Sequence, residues 1–250
     1  MATIILVHGA WHDASCWRLV KPLLAAAGIQ VHTPDLPGHG KSELPPARST
    51  MKAYVSEIVD LVRACEEPVT LLGHSMSGMV ITAVASTLPA PLHELIYLCA
   101  YLPQPGDSIF SLIPRIREHE PLAPIELAMQ LGPDKRTCAV EQDQIRPLFY
   151  GAAPPKIAAE AVEHFAIQGS LPLAAALTFD RQQVESLKLR YICCQKDRVI
   201  PFHHQRRMAA QYPSCQVDLL DSDHSPFFSQ PQALADLLIQ ALKGEQKTKV

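Results

Sequence analysis

The stretch VTLLGHSMSGM, residues 69–79, restricts the possible folds more than any other part of the chain. Residues 68–72 are mostly apolar and predict a buried strand, and a helical pattern extends over residues 76–88. Only the three residues GHS at 73–75 separate the two elements, so the chain must turn sharply there. A strand that runs almost directly into a helix is typical of folds built on a parallel sheet.

The rest of the chain continues this alternation between short apolar runs and longer amphipathic patterns. Further strands are predicted over residues 3–7, 31–34, 95–99, 187–194 and 217–220, and further helices over residues 16–27, 51–65, 201–212 and 231–242. Strands that alternate with helices predict a mainly parallel sheet with helices packed on both of its faces. The chain is therefore expected to have an α/β fold.

Residues 102–181 interrupt the alternation. This long segment is rich in proline, shows several short helical patterns and contains no convincing buried strand. We expect it to form a helical cap over the carboxyl edge of the sheet, where open α/β sheets bind their ligands. The predicted core then comprises residues 1–101 and 182–250, and the cap comprises residues 102–181. An irregular insertion without a functional role is the alternative.

Ser75 stands at the apex of the sharp turn, which is the position of the nucleophile in a strand–turn–helix elbow. Such a turn needs small residues two positions before and two positions after the serine, and the chain has Gly73 and Ser77 there. Serine replaces the usual glycine at the second position, which is a mild departure. The helix N-terminus favours negative charge that develops on the serine oxygen. The alternative is a glycine-rich turn whose serine only caps the helix.

A serine nucleophile needs a base, and His224 is the best candidate among the eleven histidines. It lies on a polar loop between the last strand and the last helix, which places it at the carboxyl edge of the sheet with the serine. His203 and His204 begin a helix and are expected at the surface. The base in turn needs an acid. Asp197, on the loop after the penultimate strand, fits the chain order serine, acid, histidine, and Asp107 is the competing candidate.

Two backbone N–H groups are needed to stabilise the oxyanion that forms during acyl transfer. We expect one from Met76, directly after the serine, and one from Ala10, on the loop after the first strand. Four residues are expected to contact the substrate: Gly9, Trp11, Phe149 and Ser225. The apolar side chains of the insertion, Phe149 among them, are more often cap core than pocket lining.

Composition argues against several other classes of function. The net charge of −3 and the absence of a basic stripe argue against a nucleic-acid partner. No apolar stretch approaches the roughly 18 residues that a membrane span needs, and residues 1–9 lack a signal-peptide pattern. The seven cysteines show no zinc-type spacing with histidine. We expect a reduced, cytoplasmic protein that acts on a small molecule without a metal or another cofactor.

Five short motifs occur in the order typical of α/β hydrolases: HGAWH at residues 8–12, DLPGHG at 35–40, GHSM at 73–76, DRVIP at 197–201 and DHSP at 223–226. Outside the insertion, the chain resembles this superfamily throughout. Within it, the sequence is similar to the branch that contains plant methylesterases, hydroxynitrile lyases and bacterial esterases. The resemblance implies an α/β-hydrolase fold, an ester substrate and a cofactor-free triad of Ser75, His224 and Asp197. By analogy with the family, the resemblance also allows a homodimer.

Two positions separate the esterases from the lyases of this branch. The lyases carry threonine where this chain has Gly9 and lysine where it has Ser225. The resemblance therefore implies hydrolysis of a small hydrophobic carboxylic ester through an acyl-enzyme, and it argues against a hydroxynitrile lyase. The alternatives are hydrolysis of a carbon–carbon bond or a lactone by the same triad, and a slow-turnover receptor for a small molecule.

Overall fold

The fold is built on a large parallel sheet and a small antiparallel sheet, as described by a computed structural model over residues 1–88 and 92–244. The strands within these ranges are β1 (Thr3–Val7), β2 (Gln30–His32), β3 (Val69–His74), β4 (Leu92–Leu98), β5 (Met129–Leu131), β6 (Thr137–Val140), β7 (Gln168–Gly169), β8 (Lys188–Cys194) and β9 (Gln216–Leu220). The large sheet has the order β2-β1-β3-β4-β8-β9, and all of its neighbouring strands are parallel.

The helices connect these strands and cover the large sheet. They are α1 (Lys21–Ala26), α2 (Met51–Arg63), α3 (Ser77–Thr87), α4 (Ile109–Arg117), α5 (Pro124–Ala128), α6 (Gln142–Phe149), α7 (Pro155–Glu163), α8 (Ser170–Ala174), α9 (Arg181–Glu185), α10 (Phe202–Ala210), α11 (Pro226–Ser229) and α12 (Pro231–Lys243). Two short 3₁₀-helices cover Ala14–Leu19 and Pro46–Arg48. Within the described ranges, no helix combines the length and the hydropathy that crossing a bilayer requires.

The structure confirms the predicted alternation of strands and helices. Each strand predicted in the core is present, with boundaries shifted by a few residues. The predicted helix over residues 16–27 differs, because it consists of the 3₁₀-helix Ala14–Leu19 followed by α1. Pro22 lies in the first turn of α1, where its missing N–H removes no helical hydrogen bond. The same residue would break a helix that continued through it.

The strand register aligns the carboxyl ends of the strands at one edge of the large sheet. Val7 of β1 pairs with Gly73 of β3, and Cys194 of β8 pairs with Leu220 of β9. Since all these strands are parallel, the loops that follow β1, β3, β8 and β9 open at the same edge. Those loops contain every residue predicted for the triad and for the oxyanion site, although they are far apart in sequence.

The large sheet is buried on both faces. Every residue of β1 and β3 is buried, which explains why these strands appear in the sequence as continuous apolar runs. Helix α3 is also buried over most of its length. Its backbone approaches the chain after β4 so closely that a Cβ atom at Gly78 would lie 2.1 Å from the carbonyl oxygen of Tyr101. This close packing holds the start of α3 against the edge of the sheet.

The insertion over residues 102–181 contains several short helices, as predicted, and also a small sheet that was not predicted. Strands β5, β6 and β7 form this three-stranded antiparallel sheet. They are two to four residues long; β5 and β6 are partly exposed, and β7 consists only of the buried Gln168 and Gly169, so none of them leaves a continuous apolar run in the sequence. Helix α8 packs against α4 and α2, and α4 packs against α10, which joins the insertion to the core.

We expect Gly78→Ala to destabilise the protein by about 1–3 kcal/mol, because the added methyl group would overlap the Tyr101 carbonyl and displace α3. Gly151→Ala is the matched control, since its Cβ atom would lie 3.4 Å from the Pro147 carbonyl oxygen, which is an ordinary contact. Equilibrium unfolding in urea measures both effects. Equal stability of the two variants would contradict the close packing of α3.

Candidate active site

The turn between β3 and α3 holds Ser75 in a strained backbone conformation. Its φ of +54° lies in the left-handed region, which residues other than glycine seldom adopt. A Cβ atom at Gly73 would lie 2.5 Å from the carbonyl oxygen of Ser77, so the turn has no room for a side chain at residue 73. The Ser75 N–H donates to the Leu98 carbonyl at 3.2 Å, and the Ser75 carbonyl accepts from the Tyr101 N–H at 3.0 Å. These bonds hold the strained residue in place.

Ser77 fits the turn and makes a hydrogen bond that glycine would not make. Its Oγ atom donates to the carbonyl oxygen of His8, and both residues are buried. The Ser77 side chain therefore links the start of α3 to the loop after β1, the two segments from which the oxyanion donors are expected.

His224 and Asp197 form a buried pair on the loops after β9 and β8. The Nδ1 atom of His224 lies 2.7 Å from Oδ2 of Asp197, and both side chains are fully buried. Because a carboxylate only accepts, Nδ1 carries the proton and Nε2 has a free lone pair. The Nε2 atom is buried and has no hydrogen-bond partner among the described residues. This nitrogen is therefore available to accept a proton at the sheet edge.

The carboxylate of Asp197 is held by several further donors. Its Oδ1 atom accepts from the N–H groups of Val199 at 2.7 Å and Ile200 at 2.9 Å, and its Oδ2 atom accepts from Nε2 of Gln205 at 3.0 Å. The competing candidate Asp107 has other partners, since its carboxylate binds the guanidinium of Arg115 and the N–H of Gln104. Of the two acids considered, the structure pairs Asp197 with the histidine.

His74 contacts the backbone of the candidate base, a role that was not predicted from the sequence. Its Nε2 atom donates to the carbonyl oxygen of His224 at 2.8 Å, and the two rings lie 4.7 Å apart. Burial holds the pKa of His74 well below its ordinary value, so the ring is neutral and its one N–H is used for this bond. Cys99, His74 and His224 also lie close enough to share an ion, although Nδ1 of His224 is already bonded to Asp197.

The two expected oxyanion donors lie beside the serine. Ala10 and Met76 both line the same cavity as Ser75. The N–H group of neither residue donates to another residue within the described ranges. A pair of unengaged backbone donors next to a nucleophile is the arrangement that stabilises a tetrahedral oxyanion.

Hydrogen bonds of His8 orient the peptide that carries the Ala10 N–H. The Leu36 N–H donates to Nε2 of His8 at 3.0 Å, so the ring proton is on Nδ1, which donates to the Gly9 carbonyl at 2.9 Å. Burial is the main reason that the pKa of His8 is lowered to about 3, so the ring is neutral at ordinary pH. A Cβ atom at Gly9 would lie 2.9 Å from Cβ of Ser75, so this peptide lies directly against Ser75.

A narrow cavity, part of it open to solvent, lies between the sheet edge and the insertion. Its walls are almost entirely apolar. They are formed by Ala10, Trp11, Ser75, Met76, Tyr101, Ile109, Phe110, Ile113, Ile125, Met129, Leu173 and Val199. The indole N–H of Trp11 donates to the Cys138 carbonyl at 2.9 Å, which fixes the ring between the loop after β1 and the insertion.

Three of the four residues expected to contact substrate, Gly9, Phe149 and Ser225, are not among the cavity-lining residues. Phe149 packs with its ring centre 5.5 Å from that of His224 and 5.7 Å from that of Trp11. Ser225 is buried, its N–H donates to the Asp223 carboxylate at 3.1 Å, and its Oγ atom has no partner among the described residues. Both residues lie next to the candidate base, whereas Trp11 lines the cavity as expected.

Comparison with known proteins agrees with this fold. The sequence pattern of the alpha/beta hydrolase family matches residues 4–237. The chain belongs to that family. Its sheet order, the serine turn and the inserted segment at the carboxyl edge are consistent with this membership.

Several relatives in this family are named as hydrolases or esterases. The pyrethroid hydrolase of Sphingobium wenxiniae is 31% identical over 244 residues, which cover 94% of this chain and 85% of that protein. Methylesterase 7 of Arabidopsis thaliana is 27% identical over 255 residues, which cover 94% of each protein. The crystal structure of a pyrethroid hydrolase from Sphingobium faniae matches with a TM-score of 0.85 at 29% identity, over 98% of each chain.

The buried histidines make stability sensitive to moderate acid. Burial lowers the pKa of His8 to about 3 and the pKa values of His12 and His39 to about 4, from an ordinary value of 6.5. The unfolded chain therefore binds these protons more readily than the folded chain does. We expect the free energy of unfolding to be fully retained above about pH 6.5 and to fall toward pH 4, by up to about 1.4 kcal/mol per pH unit for each histidine.

Urea unfolding at pH 7, 6 and 5 measures this slope. His39→Gln should reduce the dependence of the unfolding free energy on pH by the amount that one buried histidine contributes. His93→Gln, at an exposed position, should leave that dependence unchanged. A slope that is the same in wild type and His39→Gln would show that His39 does not titrate as a buried neutral group.

Proposed function

We propose that this protein hydrolyses carboxylic esters through an acyl-enzyme on Ser75. The observation that carries the proposal is the buried pair of His224 and Asp197, joined at 2.7 Å, whose free Nε2 nitrogen lies at the sheet edge where the strained turn presents the serine. Named relatives that match nearly the whole chain are hydrolases or esterases, which supports the same reaction class.

The first half of the reaction acylates the serine. As the Oγ atom of Ser75 attacks the ester carbonyl, Nε2 of His224 accepts its proton, and Asp197 stabilises the imidazolium that forms. The N–H groups of Ala10 and Met76 donate to the carbonyl oxygen as it becomes an oxyanion. The intermediate then collapses, the C–O bond to the alcohol breaks, and the proton on Nε2 passes to the leaving alkoxide.

The second half uses water as the nucleophile. Nε2 of His224 accepts a proton from water, and the hydroxide attacks the acyl carbonyl in the same oxyanion site. Collapse of the second intermediate releases the acid and returns the proton to Ser75. The reaction needs no group beyond these side chains, the two backbone donors and water.

The cavity supports a small hydrophobic ester as the substrate. Apart from Ser75 and Tyr101, its lining residues are apolar, and none of them is charged. An acyl or alcohol group with a carboxylate or an ammonium would lose its hydration there without gaining a partner. The relative in Sphingobium wenxiniae is named for hydrolysis of pyrethroids, and those in Arabidopsis thaliana are named methylesterases.

Serine and acid variants test the proposed triad. Ser75→Ala should abolish both ester turnover and labelling by a fluorophosphonate. Asp197→Asn should lower kcat on the order of 10⁴-fold, because an amide does not hold the histidine in the required tautomer. Asp107→Asn should leave kcat close to wild type, since Asp107 pairs with Arg115. Ester turnover retained in pure Ser75→Ala would refute the proposal, whereas labelling of wild type without turnover would favour a receptor.

A series of p-nitrophenyl esters tests the apolar cavity. Each methylene that becomes buried should contribute about 0.8 kcal/mol, or about fourfold in kcat/KM, until the acyl chain fills the space. Ile113→Ala should move the optimum to a longer chain, because Ile113 lines the cavity. Ile116→Ala, a buried residue of the same helix outside the lining, should not move it. Values of kcat/KM that are independent of chain length in wild type would place the acyl group elsewhere.

A further inference from the structure

A second cluster of chemically active side chains lies away from the serine, where the insertion meets the core. It consists of Glu120, three residues after the end of α4, and of His203 and His204 in the first turn of α10. The Nε2 atoms of the two histidines lie 2.6 Å and 3.0 Å from the same carboxylate oxygen, Oε2 of Glu120. We propose that these three side chains bind one divalent transition-metal ion of the zinc type and thereby fasten the insertion to the core.

The donor set suits such an ion. Two imidazole nitrogens and one carboxylate oxygen are a set that zinc binds in proteins, with a fourth position left for water. When the ion binds, each histidine carries its ring proton on Nδ1, and the hydrogen bond from its Nε2 atom to Glu120 is replaced by a bond to the metal. The three donor atoms lie within 4.8 Å of one another. Donors of a tetrahedral zinc site lie roughly 3.3 Å apart. The two nitrogen–oxygen distances of 2.6 Å and 3.0 Å are slightly shorter than that, so small outward shifts of the histidines from Oε2 would make room for the ion. The side chains of Glu120 and His203 are 35% and 54% exposed, and they are free to make such shifts.

Surrounding contacts position the donors. The guanidinium of Arg207 lies 2.6 Å from the other carboxylate oxygen of Glu120, which leaves Oε2 directed at the histidines. His204, which was expected at the surface, is buried with only 5% of its side chain exposed, and it is therefore held in one orientation. The positive charge of Arg207 weakens the attraction for a cation, and the carboxylate of Glu118, 4.0 Å away, offsets part of it. We expect micromolar rather than tighter affinity.

An ion at this position would connect the segment after α4, a helix that borders the cavity, to the start of α10. Helix α4 contributes Ile109, Phe110 and Ile113 to the cavity wall. Helix α10 begins five residues after Asp197, the candidate acid. A metal bridge between the end of the α4 segment and the start of α10 would therefore restrict movement of the insertion relative to the triad. Metal binding should raise the Tm of the protein.

Metal titration of the full-length protein, first stripped with EDTA, tests this inference. Calorimetry with Zn²⁺ should show one ion per chain, and Co²⁺ should give visible absorption bands typical of a site with nitrogen ligands. Glu120→Gln and His203→Gln should each lower the affinity for the metal by about tenfold or more. Loss of a residue that only hydrogen-bonds to a metal ligand already costs about that much, and loss of the ligand itself should cost at least as much. His93→Gln, which removes an exposed histidine elsewhere, is the matched control and should bind as wild type does.

Two outcomes would overturn the inference. Absence of Zn²⁺ and Co²⁺ binding to wild type would mean that the cluster is an ion pair of Glu120 with Arg207 and the histidines only. Binding of equal strength in wild type, Glu120→Gln and His203→Gln would mean that the ion is held by other donors, such as the group of His74, Cys99 and His224. None of these results depends on ester hydrolysis, so they leave the proposed function untouched.

Discussion

The close approach of backbone segments around Ser75 is the constraint on which the rest of the site depends. Side chains are excluded at Gly73, Gly78 and Gly9, because a Cβ atom at each would lie within 3 Å of a neighbouring atom. This packing helps to hold Ser75 at a φ of +54°, in a region that residues other than glycine seldom adopt. The same packing brings the loop after β1 against the turn, so the nucleophile and both expected oxyanion donors share one rigid edge.

Neutral histidines form the second layer of support. His8 orients the Gly9 peptide, and His74 holds the backbone of His224, each through a single N–H. Burial lowers the pKa of both rings, so neither gains a proton that would disturb these bonds at ordinary pH. This arrangement makes the protein sensitive to acid. As the pH falls, the histidines bind protons more readily in the unfolded chain than in the folded one, and the free energy of unfolding decreases.

Much of the fold could be predicted because its signals are local. Continuous apolar runs mark β1 and β3, and small residues mark the turn at Ser75. Strands β5 to β7 gave no such signal, since all three are short, and β5 and β6 are also partly exposed. Phe149 was assigned to the substrate pocket on its apolar character alone, and hydrophobicity does not distinguish a ring that lines a cavity from one that packs behind it.

The sequence by itself determined the α/β architecture, the serine turn and the order of serine, acid and histidine, because periodicity, turn chemistry and chain order are properties of neighbouring residues. Tertiary structure alone decided that Asp197 rather than Asp107 meets His224, which residues line the cavity, and that Glu120 lies against His203 and His204. These outcomes depend on contacts between residues distant in the chain. Such contacts are set by strand register and helix packing, which no local pattern in the sequence specifies.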